Sequence, residues 1–375
     1  MNNAAHSHPG RRIHGGAAAR RRPRSRGRSR QSGFALIVVL ILVVVLTLLA
    51  GMVALSGQQA RDQAQAELDE FEGRVDMAST RDTFLFMMST QRQTLAGVTT
   101  GQYTTPPEMP LDDVDGLMVL PTGDEIRLDG RTYNGLGNAR FSFQDDRGLI
   151  SINWAESAIH SAYLNSLGAR PERHAGYADK LEDYQDPDDL RHLDGAEREH
   201  YERAGLPGPS NQPLATPLEL RRVMGWKDLL ESRDDLSLLR TLTIARSAAF
   251  NINTAPAEVL ALIPGMDAEN AQRMVDVRNQ MPFTSIYAAQ SAFPLNAIPE
   301  DMLSLFPNPS GNLILWDRRS GSRRLLHWTL SSVANGLPPW RIDYEIRLPR
   351  DEDPDQALVT TPATPLFAAA SPTGS

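Results

Sequence analysis

Residues 34–55 read FALIVVLILVVVLTLLAGMVAL, and no charged residue occurs between Phe34 and Ala60. At a rise of about 1.5 Å per residue, about 20 apolar residues cross the roughly 30 Å hydrocarbon layer of a membrane. This stretch therefore predicts a membrane-spanning helix near the amino terminus. It decides the fold, because the rest of the chain must be built onto a helix that leaves the membrane.

Charge is distributed unevenly on the two sides of this stretch. Residues 1–33 contain nine arginines and no Asp or Glu, and subtracting this +9 from the formal charge of −8 leaves −17 for residues 34–375. The positive-inside rule holds a basic leader in the cytoplasm. We therefore expect a single-pass protein of the inner membrane with a periplasmic C-terminal head. A head this acidic repels the phosphates of nucleic acids, and the absence of cysteine excludes disulfides and thiolate metal sites.

The junction between the leader and the apolar stretch argues against an ordinary signal anchor, which hydropathy alone would favour. Residues 33–37 read Gly-Phe-Ala-Leu-Ile after a basic leader, and they resemble the processing site of type IV prepilins. The resemblance implies that a prepilin peptidase cleaves between Gly33 and Phe34. It also implies N-methylation of the new terminal residue, Phe34.

The fifth residue after this junction is Val38, where most pilins carry a glutamate that pairs with the amino terminus of a neighbouring subunit. A charge inside the membrane is tolerated only when it is paired. A subunit with no neighbour ahead of it has no use for this acid. Its absence is typical of the type II secretion minor pseudopilin K, which caps the tip of the pseudopilus.

Three further stretches strengthen the resemblance to the pseudopilin K family. They are residues 143–153 (FQDDRGLISIN), residues 183–189 (DYQDPDD) with Gly195-Ala-Glu197 and Tyr201, and residues 250–256 (FNINTAP). The resemblance implies a structural, non-enzymatic subunit that nucleates pseudopilus assembly and supports export of folded proteins across the outer membrane. Its expected partners are the other minor pseudopilins of the tip complex, the prepilin peptidase and the inner-membrane secretion platform. A minor pilin of a type IV pilus is the nearest alternative.

Beyond the membrane, apolar residues recur at helical spacing, so the helix is expected to continue as an amphipathic one. A coiled-coil stalk is the alternative, weakened by Asp82 in the seam. In pilins an antiparallel sheet covers the apolar stripe. The predicted stripe consists of Ala64, Leu68, Phe71, Val75, Ala78, Leu85 and Met88.

The expected fold class is α+β and pilin-like, with a long N-terminal membrane-spanning helix packed on an antiparallel sheet. A large inserted helical domain contains a helix-hairpin-helix-like (SAM-like) element, opened by Asn253-Thr254-Ala255-Pro256 as a helix start. We divide the chain into a basic prepilin leader (1–33), the transmembrane and amphipathic pilin helix (34–96), a first β region (97–154), the inserted helical domain (155–306), a second β region (307–349) and a disordered tail (350–375).

A cluster of acids is the strongest candidate for chemistry. Like charges at helical spacing repel one another unless a cation neutralises them, and calcium prefers carboxylate oxygens. Residues 186–197 match an EF-hand loop at positions 1, 3, 9 and 12, but Leu190 and Arg191 break the match at positions 5 and 6. The pseudopilin K family includes members that bind calcium in this domain. The resemblance thus implies a calcium site drawn from Asp183, Asp186, Asp188, Asp194 and Glu197.

The alternative is a solvated acidic loop whose counter-charges are Arg191, Arg198 and Arg203. His192 is expected to adjoin the cluster, although calcium favours oxygen over imidazole. The remaining histidines of the head are predicted to lie mostly at the surface.

A membrane-anchored DNA receptor of the competence type is the alternative from another class. Residues 251–256, Pro264-Gly265 and residues 283–285 resemble a helix-hairpin-helix element, which presents backbone N–H groups to phosphate. Asp267 stands where a second glycine would complete that anion-binding turn. We therefore predict a packing element and no nucleic-acid partner. The sequence also lacks the Gly-x-Ser-x-Gly, His-Glu-x-x-His and complete phosphate-loop motifs of common enzymes.

Overall fold

The computed structural model describes residues 32–101, 120–153, 157–247, 249–331, 336, 338–350 and 360–367. The chain divides into two compact units, residues 1–63 and 64–375. The predicted leader as far as residue 31 lies outside the described residues, as do residues 351–359 and 368–375 of the predicted tail.

Helix α1 runs from Ser32 to Thr90. In the first unit its side chains are exposed from Phe34 onward. Among the described residues, this is the one helix that is long and apolar enough to cross a membrane. The segment fits a single-pass membrane anchor.

The second unit combines short helices with an antiparallel sheet. The strands in the described part of the chain are β1 (Gly97–Val98), β2 (Ile126–Arg127), β3 (Asp129–Asn134), β4 (Ala139–Asp145), β5 (Ile150–Ser151), β6 (Leu242–Thr243), β7 (Phe250–Asn251), β8 (Leu303–Ser304), β9 (Ser310–Asp317), β10 (Arg323–Leu330) and β11 (Trp340–Leu348). The helices after α1 are α2 (Ser157–Ser166), α3 (His174–Gln185), α4 (Arg198–Arg203), α5 (Trp226–Leu229), α6 (Asp235–Thr241), α7 (Ala257–Leu260), α8 (Ala268–Gln280) and α9 (Ile286–Ala292).

Five of these strands form one antiparallel sheet in the order β11-β10-β9-β4-β3. Two-residue strands make three smaller pairs, of which β1–β2 is antiparallel and β5–β6 and β7–β8 are parallel. The long amino-terminal helix, the antiparallel sheet and the helices between them confirm the predicted α+β fold class.

Side chains of the sheet alternate between two apolar faces, because successive residues of a strand point to opposite sides. On β9, Leu313 and Leu315 pack with α1. Ile314 lies on the other face, where it packs with Leu325 of β10 against Leu239 of α6. The sheet is therefore covered on both faces, by α1 on one side and by the helical region on the other.

The covered face of α1 differs from the predicted stripe. Leu85 and Met88 are buried as predicted, but Leu68, Phe71 and Val75 are 48%, 56% and 47% exposed. The prediction was wrong for these three and for Ala64, which is also exposed, because α1 carries apolar residues on two faces and periodicity cannot show which face the sheet covers. The residues of α1 in the apolar core are Met77, Phe84, Leu85, Met87 and Met88.

The turn between β3 and β4 is held against α1 by hydrogen bonds. The backbone N–H of Leu136 donates to Oγ1 of Thr80 at 2.9 Å, and that of Asn138 donates to Oδ2 of Asp76 at 2.8 Å. Gly137 has a φ of 58°, and a side chain at this position would overlap the Asp76 carboxylate. Glycine is therefore required by both the backbone conformation and the close approach.

The turn between β9 and β10 approaches the same helix at a second glycine. Asp317 is buried, and its Oδ2 accepts the backbone N–H of Ser320 at 2.7 Å. A Cβ on Gly73 of α1 would lie 2.5 Å from Cγ of Asp317. The absence of a side chain on Gly73 lets the turn pack directly on the helix.

The helical region between β5 and β9 has its own apolar core, in which Trp226 and Tyr201 are among the largest buried side chains. Arg127 of β2 joins this region to the strands by donating to the backbone carbonyls of Arg278 at 2.8 Å and Asn279 at 3.3 Å. These carbonyls lie at the C-terminal end of α8, where a cation also interacts favourably with the helix dipole.

Residues 360–367, inside the segment predicted to be disordered, pack on the sheet. The backbone N–H of Asn134 in β3 donates to the carbonyl of Thr360 at 2.9 Å. Phe367 is buried, with its ring stacked 5.2 Å from that of Phe141. The composition of this segment favours disorder, but the contacts of the single side chain of Phe367 hold it on the sheet, and composition cannot show such contacts.

Candidate functional site

The acidic cluster forms where α3 ends and the chain turns back on itself. Asp183 lies in the last turn of α3, and Asp186 follows the end of the helix. The returning loop brings Gly195 so close that a side chain at this position would overlap the Asp183 carboxylate. Glu197 lies two residues further along and directly precedes α4.

Asp183 lies at the centre of this cluster with its side chain completely buried. Its Oδ1 accepts the backbone N–H of His192 at 3.1 Å and lies 2.5 Å from Nδ1 of the same residue. Nε2 of His192 lies 3.3 Å from Oε2 of Glu182. His192, predicted to adjoin the acids, therefore contacts them directly.

Four carboxylate oxygens of the cluster are buried without a hydrogen-bond partner in the described part of the chain. They are Oδ2 of Asp183, Oδ1 of Asp186 and both carboxylate oxygens of Glu197. A buried acceptor left unsatisfied costs about 1–3 kcal/mol, and more if it is charged. These oxygens therefore favour an additional, positively charged partner.

The electrostatics of the cluster agree with this conclusion. Burial raises the pKa of Glu197, and the charges of Asp183 and Asp186 raise this pKa further. Burial also raises the pKa of Asp186, followed by the charges of Asp188 and Asp183. The hydrogen bond to Asp183 raises the pKa of His192. The acids thus repel one another, and a cation would relieve that repulsion.

The donor set fits a hard divalent cation, because the oxygens without partners belong to carboxylates. Of the five predicted ligands, the structure brings together Asp183, Asp186 and Glu197. Asp188 lies near enough to raise two of their pKa values, while its Oδ1 accepts the backbone N–H of Leu190 at 2.8 Å. Asp194 is exposed and packs beside Gly176 of α3.

Arginines were predicted as the counter-charges of the acidic cluster. Arg203 pairs with Glu199 at 4.0 Å rather than with an acid of the cluster.

In the hairpin between α7 and α8, Oδ1 of Asp267 accepts the backbone N–H of Asn270 at 2.7 Å and caps α8. Its negative charge stands where a phosphate would need free amide donors.

A second buried polar network was missed by the sequence analysis. Asp145, at the end of β4, accepts hydrogen bonds from the backbone N–H of Asn308 at 2.7 Å, the hydroxyl of Thr254 at 2.7 Å and the side-chain amide of Asn251 at 3.0 Å. Thr254, predicted within a helix start, uses its hydroxyl here instead. Burial raises the pKa of Asp145 to about 7, against the effect of the hydrogen bonds from Thr254 and Asn308.

Asp146 extends this network to β10 and β11 through His327. The imidazole of His327 lies between Asp146 and Asp343, with Nδ1 2.8 Å from Oδ2 of Asp343. Asp146 also accepts the hydroxyl of Thr243 at 2.6 Å. The prediction that most head histidines lie at the surface was wrong for His327, whose side chain is 2% exposed. Two successive acids directly after an apolar strand were the sequence signal for a buried network.

The predicted processing site lies at the start of α1. Gly33 and Phe34 follow Ser32, where the helix begins, and Phe34 is 76% exposed. Val38 lies one turn further along the same helix. The membrane-type helix, the prepilin-like junction at its start and the antiparallel sheet define a pilin-like protein with a membrane anchor and a soluble head.

Comparisons with known proteins relate two segments of this chain to one family. Residues 150–233 match a family model described as type II secretion system (T2SS), protein K, and residues 250–305 match a second model with the same description. These two segments are similar to the type II secretion system protein K family, and the similarity supports the role of a minor pseudopilin. Both matches fall within the helical region.

A solved structure similar to this chain is that of the GspK-GspI-GspJ complex from the enterotoxigenic Escherichia coli type 2 secretion system. The similarity has 14% sequence identity and a TM-score of 0.46, and it covers 78% of this chain and 99% of that chain. No curated protein matches the chain.

Proposed function

We propose that the chain caps the tip of the type II secretion pseudopilus, where it nucleates assembly with the other minor pseudopilins and supports export of folded proteins across the outer membrane. Its role is structural rather than enzymatic. One observation carries the proposal, namely an apolar stripe on α1 that the protein's own sheet leaves uncovered.

This outer stripe consists of Leu68, Phe71 and Val75, each about half exposed. Because successive residues of a helix are about 100° apart, the three lie on one side of α1, nearly opposite Met77 and Phe84 of the covered face. Burying one large apolar side chain contributes about 1.5–3 kcal/mol. A helix of another minor pseudopilin, packed ridges into grooves, would cover this stripe.

Val38 supports a position at the tip. A glutamate here would pair with the amino terminus of a preceding subunit, and an ionised acid without that partner is costly in lipid. Valine is 44% exposed on α1 and needs no such partner. The absence of the acid is therefore consistent with a subunit that has no other subunit ahead of it in the fibre.

The proposal places the anchor in the inner membrane and the head in the periplasm. The basic leader supports this orientation through the positive-inside rule. The resemblance of the junction to a prepilin site supports cleavage between Gly33 and Phe34 by the prepilin peptidase, with N-methylation of Phe34. The processed chain would then join the inner-membrane secretion platform.

The proposal includes calcium as a structural cofactor. Asp183, Asp186 and Glu197 would hold it through their oxygens without partners, with Asp188 and Asp194 completing the predicted set. The ion would neutralise the negative charge of these carboxylates and would hold the loop between α3 and α4 in place. This role is supported by the burial and mutual repulsion of the carboxylates.

Co-purification tests the assembly proposal. The full-length chain in detergent, with Leu68→Ser and Phe71→Ser together, should bind the other minor pseudopilins at least about 10-fold more weakly, because two apolar side chains no longer become buried. Its thermal unfolding alone should be unchanged, since both residues are exposed. Met281→Ser, at a 71% exposed residue of the helical region, is the matched control. Undiminished binding by the double variant would contradict the proposal.

A further inference from the structure

We propose that the acidic cluster also takes a transition-metal ion such as Zn²⁺, with the imidazole of His192 as a nitrogen ligand beside the carboxylates of Asp183 and Asp186. This inference deepens the proposed cation site and rests on it. It differs from the calcium proposal in the class of ion that binds and in the residue, His192, that selects this ion.

The three side chains already lie close enough to share an ion. One ligand atom from each of Asp183, Asp186 and His192 lies within 4.8 Å of the other two. Zinc bonds of about 2.0–2.2 Å place the ligands of one ion roughly 3–4 Å apart. Within the residues that the structure describes, no other group of three His, Asp or Glu side chains is found at this spacing.

The chemistry of the donors favours such an ion. Oδ2 of Asp183 and Oδ1 of Asp186 are buried and lack partners among the described residues. Imidazole is a good ligand for zinc, copper and nickel, whereas calcium takes oxygen ligands. The side chain of His192 is 43% exposed, so an ion bound here has a route from solvent and room for a water ligand.

The surroundings hold the imidazole in place for this role. The backbone N–H of His192 is anchored on Asp183, and Gly195 lets the loop press against the same carboxylate. An ion bound to Nδ1 would replace the present 2.5 Å contact of this nitrogen with Oδ1 of Asp183, while Nε2 lies 3.3 Å from Oε2 of Glu182. A carboxylate that accepts the second N–H of a metal-bound histidine orients the ring and makes it a stronger ligand. Glu182 is therefore a positioning residue.

Thermal unfolding of the full-length chain in detergent tests the inference. Every protein carries His6→Ala, His8→Ala and His14→Ala, so that the leader histidines contribute no zinc binding, and is first freed of metal with a chelator. Zn²⁺ should raise the melting temperature of this background protein. His192→Ala should abolish the zinc-dependent rise but keep the calcium-dependent one, which shows that its loop is intact. His174→Ala, at the start of α3, is the matched control and should behave as the background protein.

Affinity gives a second, graded readout. Co²⁺ titration, followed by its visible absorption, should show binding that His192→Ala removes and that Glu182→Gln weakens by about 10–100-fold. Equal zinc-dependent rises in the background protein and in His192→Ala would overturn the inference. A zinc response that needs His192 without any calcium response would support it and overturn the calcium proposal alone. No response to either ion would overturn both.

Discussion

Nε2 of His327 lies 3.0 Å from Oδ2 of Asp146, and both side chains are buried in the interior of the head. The contact joins β10 to the segment that leads from the sheet into the helical region. Asp343 approaches the other ring nitrogen, so that one imidazolium stands between two carboxylates. Removing one member of such a buried arrangement leaves charges without a partner, which is strongly destabilising.

The stability of the head is expected to fall in mildly alkaline solution. Burial lowers the pKa of His327, but Asp146 and Asp343 outweigh it and raise this pKa to about 9. The folded state therefore prefers the protonated ring. The resulting stabilisation is complete below the unfolded pKa of 6.5 and is lost as the pH rises through about 9, a loss of about 3 kcal/mol. Urea unfolding between pH 7.5 and 9.5 measures the part of this loss, roughly 2 kcal/mol, that falls within that range.

Asp145 also titrates with the same sign, because its raised pKa of about 7 makes the folded state prefer its protonated form. Its contribution falls mostly below pH 7, so the slope above pH 7.5 reports His327. His327→Gln should unfold more readily at pH 7 and should lose that slope, whereas His174→Gln should keep it. A wild-type protein equally stable at pH 7.5 and 9.5 would show that the imidazole is neutral in the fold.

Gly73→Ala should destabilise the head by about 1–3 kcal/mol, because the new Cβ would overlap the carboxylate of Asp317. Asp317 cannot move aside without giving up its hydrogen bond from Ser320. Gly57→Ala is the control, since a Cβ at this position meets nothing within 4 Å. Chemical denaturation of both variants checks the prediction, and equal stability would mean that the turn yields easily.

Calcium should raise the melting temperature of the full-length chain in detergent. Binding to the folded state alone stabilises it by about 2.7 kcal/mol at a hundredfold excess over Kd. Magnesium should do less, because it demands tight octahedral geometry and gives up water reluctantly. Asp186→Ala with Asp188→Ala should abolish the response, while Glu300→Ala with Asp301→Ala, an exposed acid pair elsewhere, should leave it. Identical melting curves in EGTA and calcium would return the cluster to the solvated-loop interpretation.

Processing should leave a chain that begins at methylated Phe34 in cells that contain the prepilin peptidase. Intact mass or N-terminal sequencing of the purified protein measures this. In cells without the peptidase, the chain should keep residues 1–33. A start beyond Leu55 in either strain would identify an ordinary secretory signal instead.

Val38→Glu should give the protein no additional function, because an ionised carboxylate without a partner in lipid costs about 2.5 kcal/mol or more. Val38→Gln, similar in size but uncharged, is the control. Secretion and pseudopilus formation are measured in cells that lack the wild-type gene. Better incorporation of the glutamate variant along the fibre shaft would contradict a position at the tip.

Most of the architecture could be predicted because it follows from local patterns. The apolar run from Phe34 and the strands β9, β10 and β11 are all visible as unbroken or alternating apolar stretches. The covered face of α1 was not predictable, since Leu68 and Met77 are equally apolar and only the position of the sheet distinguishes them. The anchoring of residues 360–367 by Phe367 likewise depends on a distant surface.

The candidate sites show the same difference between features set by local sequence and features set by distant contacts. The acids of the α3–α4 loop are close in sequence, so Asp183 and Asp186 could be placed in one cluster, and His192 beside them. The partners of Asp146 could not be found in this way, because His327 and Asp343 reach it from strands far along the chain. A histidine in an alternating strand carries no local sign of the acid that it will meet.

The position of β9 in the middle of the sheet has a consequence for biosynthesis. Its neighbour β4 ends at Asp145, yet β9 begins only at Ser310. At about 5–20 residues per second, roughly 10–30 s of synthesis separate these two strands. During that interval α1 and β4 have no complete sheet to cover their apolar side chains. The nascent head is therefore exposed to aggregation for longest while its helical region is being made, and a chaperone that binds apolar segments would act in that interval.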